Sequence, residues 1–172
     1  EVIKAKKIRQ IFFEGNAFFS DSDLKAEVGV LERSNFHQDS SIEGADRIRK
    51  LYKEKGFPNS IIELSFIPVG SAEIDIKVKV LEGQQTKVNS IQFVSDNELL
   101  KNKLLKVAKK KIGSVFTDLM ISDFLIESRK VLSENQFYRT SLTNPKVTLN
   151  RDESKADLIF TVENSDQFDV NV

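Results

Sequence analysis

The chain is 172 residues long, 40% hydrophobic and 30% charged, with 26 basic side chains balanced by 26 acidic ones. That composition suits a folded globular chain and supplies no global field toward nucleic acid or anionic lipid. Cysteine is absent, which excludes disulfide scaffolds, thiolate metal sites and thiol catalysis, and no apolar run approaches the roughly 18–20 residues of a membrane-spanning helix.

In chain order, an extended segment is predicted over Ile8–Phe13, ending at the turn dipeptide Gly15-Asn16. A helix is expected from Ser20, where Ser20-x-x-Asp23 has the form of a capping box, with Leu24 and Val28 inward. Ser40-x-x-Glu43 should cap a second helix, in which Ile42, Ala45, Ile48 and Tyr52 recur at helical spacing and Gly56 is the stop. Ile62, Leu64 and Phe66 alternate as a strand that ends in a turn through Pro68-Val69-Gly70. The run from Ile74 to Val80 alternates strictly, as a strand does with one buried and one wetted face.

The plan then repeats. A shift of 80 residues lays 7–57 onto 87–137 without a gap, and ten of the 51 positions are identical, against about three expected by chance. Val88–Phe93 is the second copy's first strand, Ser95-x-x-Glu98 its cap, and Leu100, Leu104 and Ala108 its first helix face. Ile121, Leu125 and Leu132 line the next helix, and Thr140–Leu149 with Asp157–Val162 form a hairpin. The fold class is α+β: two tandem βααββ modules, each a three-stranded mixed sheet with two helices on one face. The last strand of each module is expected to be central and parallel to the first. The expected domains are 1–83, 84–164, and a tail 165–172 that alternates like the start of another strand. The chain reads as a fragment of something longer.

Ile8-x-x-Ile11-x-Phe13-x-Gly15-Asn16, Tyr52-x-x-x-Gly56-Phe57 and Val80-Leu81-Glu82-Gly83, in this order and duplicated, resemble the signature of the POTRA family. The second copy departs from it at Ser95-Asp96, Gln136 and Glu163-Asn164, where Asp96 and Asn135 are expected to supply the left-handed geometry of glycine. The resemblance implies a periplasmic part of an outer-membrane protein, BamA-like or TamA-like, with a C-terminal β-barrel in the same parent chain. It implies binding, with no catalytic residues and no cofactor: unfolded outer-membrane protein clients are received and accessory assembly proteins docked. Repeats of a two-partner secretion transporter are the alternative within the family.

Three features could carry such binding. An edge strand offers unpaired backbone groups for strand addition, and the candidate edges are Ser60–Ile67 and Thr140–Leu149. Their candidate residues are Ile61, Glu63, Ser65 and Ile67, facing solvent, together with Thr140, Leu142 and Val147, and Pro145 should blunt the second edge. Met120, Phe124 and Val131 add an apolar stripe where the first copy has Ser40, Gly44 and Leu51. That stripe is either core, the favoured reading, or a partner patch. Lys103, Lys106 and Lys110, within a run from Lys101 to Lys111, form a basic face that is either solvated or in contact with anionic headgroups or an acidic partner.

A KH-like nucleic-acid module is the rival fold. It needs a GxxG loop between its helices, and the corresponding stretches Val28–Leu31 and Lys110–Gly113 lack one, so no nucleic-acid partner is expected. His37 is alone, without a second ligand at metal spacing, and no nucleophile–base pair or phosphate loop is present.

Overall fold

The computed structural model describes residues 5–164. The tail predicted as a further strand lies outside them. The chain divides into two compact units between Gln84 and Gln85.

The first unit runs β1 (Lys7–Glu14), α1 (Asp21–Val28), α2 (Gln38–Glu54), β2 (Ile61–Val69) and β3 (Glu73–Leu81). Its sheet has the order β1-β3-β2, with β1 parallel and β2 antiparallel to β3. A tight hairpin suffices for the antiparallel pair, whereas the parallel pair needs the long crossover that α1 and α2 provide. Ile8, Ile11, Ile62, Ile74, Ile76, Val78 and Val80 point from the sheet into a core closed by Leu24, Val28, Ala45, Ile48 and Tyr52 of the helices.

Ser20 caps α1 as expected, its Oγ accepting from Asp23 N at 3.2 Å while Ser20 N donates to Asp23 Oδ2 at 3.1 Å. α2 differs from expectation. It starts at Gln38, with His37 at the capping position and Ser40 already inside the first turn. Its inward stripe is Ser41, Gly44, Ala45, Ile48 and Tyr52, leaving Ile42 45% exposed. The cause is a close helix crossing: a Cβ built on Gly44 would lie 2.3 Å from the Val28 carbonyl oxygen. Only small residues fit there, so the isoleucine is turned outward. Arg47 fastens the crossing by donating to Glu27 O and Val28 O, both at 2.8 Å.

The second unit runs β4 (Lys87–Val94), α3 (Glu98–Ala108), α4 (Asp118–Glu134), β5 (Thr140–Leu142), β6 (Lys146–Leu149) and β7 (Lys155–Asn164). β4 lies parallel to β7, and β5 and β6 both lie antiparallel to it. The single strand predicted over Thr140–Leu149 is broken. Leu142 pairs with Val162 and Lys146 with Ile159, so three residues, Thr143 to Pro145, face two on β7. That is a bulge, placed where Pro145 has no N–H to give the ladder.

Asn97 caps α3, its side-chain oxygen accepting from Leu100 N at 3.0 Å, so the predicted cap at Ser95 is displaced by two residues. The left-handed turn after α4 falls on Gln136 (φ 65), at the position of Gly56, whereas Asn135 has φ −105 and Asp96 takes no positive φ. Met120 and Phe124 are buried, and Val131 is half-buried against the same core. They are therefore not a partner patch. Phe124 stands where Gly44 does, and its ring packs 4.9 Å from Phe160 and 6.2 Å from Phe93. Where α1 and α2 touch through glycine, the matching position of α4 carries a phenyl ring that packs on the sheet.

Candidate functional site

Each central strand is paired on both sides, so what a module can offer is its outer strands. β1 is not open. Its outer side pairs with the loop after α1: Ile8 N donates to Ser34 O at 2.9 Å, Arg33 N to Ile8 O and Phe36 N to Lys6 O. Glu32 Oε1 then accepts from Ile11 N at 3.3 Å. β4 is covered at its start in the same way, by Gly113, Ser114 and Phe116. Sequence reading missed this cover, because backbone pairing by a loop leaves no side-chain pattern. The signal available was the alignment of Arg33 with Gly113, which share a left-handed turn (φ 70 and φ 84).

β2 is different. All nine of its residues pair with β3, and among the described residues no backbone bond reaches its far side. In an antiparallel pair directly opposed residues share a face. Ile61 opposes Leu81, Glu63 opposes Lys79, Ser65 opposes Lys77 and Ile67 opposes Asp75. Ile61 and Ile67 are 52% and 45% exposed, and Leu81 is 43% exposed. The open edge thus carries an apolar side chain near each end of its outer face. Between them the face is laced by ion pairs: Glu63 with Lys79 at 3.5 Å, Glu14 with Lys77, and Arg9 with Asp75. Arg9 occupies the β1 bulge, and hydrogen bonding from it holds the Asp75 carboxyl below its ordinary range.

The second module's edge is poorer. Thr140, Leu142 and Val147 oppose Asn164, Val162 and Leu158, of which Leu158 is a core residue, so all three lie on the helix-facing side. Leu142 packs on the core, which removes it as a contact for an added strand, and Val147 is 39% exposed.

The signature residues are brought together at one end of the first module, where they are structural. Gly15 (φ 83) lies against β3 so closely that a Cβ would sit 2.2 Å from Val80 O. Glu82 Oε1 accepts from the Tyr52 hydroxyl at 2.8 Å and from Phe18 N at 2.7 Å. Burial, with that bond, raises the Tyr52 phenol well above its usual range. Phe57 packs edge-on to Tyr52 and Phe18.

Lys103 is half-buried and Lys106 and Lys110 exposed on and just beyond α3. Lys101 and Lys111 are neutralised by Glu98 and Glu127 at 2.7 and 2.8 Å. His37 is exposed. Among the described residues no group of three His, Cys, Asp or Glu is placed to hold a metal ion, and no helix is long and apolar enough to cross a membrane.

Each unit is a mixed sheet with two helices on one face, and the same order of elements is met twice. Residues 6–83 match the model of the POTRA family, described as the surface antigen variable number repeat. The fold match extends further. A BamA POTRA3-5 structure from Haemophilus influenzae aligns over 94% of this chain and 67% of its own, with a TM-score of 0.56 at 16% identity. The N-terminal domain of Omp85 from the thermophilic cyanobacterium Thermosynechococcus elongatus aligns over 90% of this chain and 61% of its own (TM-score 0.58, 10% identity). CdiB from Escherichia coli aligns over 94% of this chain and 28% of its own (TM-score 0.50, 13% identity). No curated protein sequence matches. The first unit thus matches a POTRA domain over its length, and the second unit repeats the same fold.

Proposed function

We propose that the chain is a periplasmic polypeptide-binding segment of an outer-membrane β-barrel assembly factor, and that its first module receives extended client segments by strand addition along β2. The supporting observation is the unpaired far side of β2, flanked by exposed Ile61 and Ile67. Main-chain pairing tolerates many client sequences, and the two isoleucines add apolar contact without demanding a particular one. Accessory proteins would dock on other faces of the array, and a C-terminal barrel would follow in the parent chain. A two-partner secretion transporter is the alternative, separated by the number of repeats before the barrel.

The test is an NMR titration with a peptide copied from a barrel strand. Amides of Ile61–Val69 should shift, with β5 and β6 shifting less. Covering the exposed half of one isoleucine is worth roughly 1 kcal/mol, so Ile61→Asp or Ile67→Asp should weaken binding about fivefold or more. Unshifted β2 amides at saturating peptide would remove strand addition from this edge.

A further inference from the structure

We infer that the outer face of α3 in the second module is a docking surface for an anionic phospholipid bilayer. The internal duplication provides the comparison, since one fold carries opposite chemistry at matching positions. Where α1 and the turn after it have Asp23, Ala26 and Val30, α3 and its exit turn have Lys103, Lys106 and Lys110. At 100° per residue these three lysines fall within about 60° of one another, and Leu99 lies on the same side. Among the described residues no carboxylate pairs with any of the three, whereas Lys101 and Lys111 on either flank are neutralised.

An apolar side chain stands among the charges. Leu99, at the first turn of α3, is 62% exposed; its counterpart Phe19 packs on Tyr52 with ring centroids 4.9 Å apart. A convex helix face with flexible, unpaired point charges around one protruding aliphatic side chain suits a plane of dispersed phosphates. The lysines meet headgroups while Leu99 enters the acyl boundary. An acidic protein would need fixed carboxylates opposite each lysine and gains less from the aliphatic side chain.

The test is co-sedimentation of the 172-residue chain with vesicles of phosphatidylcholine alone or with one third phosphatidylglycerol, at low and high salt. Retention should require phosphatidylglycerol and fall as salt rises. Each lysine near such a surface contributes about a fivefold factor. The combined Lys103→Gln, Lys106→Gln and Lys110→Gln variant should therefore lose about 100-fold in partitioning, each single change about fivefold, and Leu99→Ser a further measurable part. Removing three lysines from the first module (Lys50, Lys53 and Lys55 to Gln) should change it little. Absence of phosphatidylglycerol-dependent retention at low salt would overturn the inference. So would equal loss from the two triple variants, or unchanged retention on Leu99→Ser. A glutamate-rich peptide that shifts these lysines while vesicles do not retain the chain would assign the face to an acidic protein instead.

Discussion

Gly44 sits mid-helix in α2, where alanine is normally the better residue by about 1 kcal/mol. Propensity alone therefore predicts that Gly44→Ala stabilises the first module. The packing predicts the reverse. The added Cβ would lie 2.3 Å from Val28 O, 3.1 Å from its carbonyl carbon and 3.1 Å from its Cα. Ordinary contact would require α1 and α2 to separate by about 1 Å, and overpacking of this kind costs roughly 1–3 kcal/mol. The separation would also stretch the two Arg47 bonds that close the crossing. Set against the propensity gain, the net expectation is a loss of up to about 2 kcal/mol, or up to roughly 16 °C in Tm for a module of this size. Calorimetry of the 172-residue chain measures it, and hydrogen exchange of α1 and α2 amides locates it. A Tm that rises on Gly44→Ala would refute the close-crossing argument.

In the second module, Ser128 is fully buried on α4 with no hydrogen-bond partner for its hydroxyl. Ser128→Ala should raise stability by about 1 kcal/mol, read as a higher Tm. The raised Tyr52 phenol means that the folded state stays protonated after the unfolded tyrosine ionises. Stability from this group is present below the ordinary tyrosine pKa and is lost as pH rises beyond it; an ultraviolet titration of the Tyr138→Phe variant isolates Tyr52 and should show delayed ionisation. Asp75 and Asp157 are held low, by hydrogen bonds from Arg9 and from Ser90 and then Asn89. Their contribution is present above the ordinary Asp pKa and is lost as pH falls through the depressed values. Denaturant melts between pH 7 and pH 2.5 should steepen in the acid range, and Asp75→Asn should flatten that dependence.

Much of this fold was legible because period and position coincide. The alternation from Ile74 to Val80 could only be a half-buried strand, and the Ser20–Asp23 box fixed the start of α1 through local chemistry. The failures share a cause in tertiary distance. Nothing local says that Ile42 must yield the inward position to Ser41, because the constraint is the Val28 carbonyl on another helix. Likewise Leu142 reads as an edge residue until its pairing with Val162 shows which side it faces. The open side of β2 could be inferred from strand order, but the closed side of β1 could not. Its partners are main-chain atoms of 33–36, and any sequence could supply those.

That loop bears on the stoichiometry of the proposed strand addition. With the first half of β1 already satisfied by 33–36 and Glu32, β2 is the edge left open along its whole length. A strand added to β2 would become the new rim and present its own far side to whatever comes next. On the proposed reading the module would be monovalent, a template that starts a sheet without becoming its interior. Two copies pairing through β2 would close a dimer rather than propagate a fibre, and a captured segment would keep one free side for transfer to another strand.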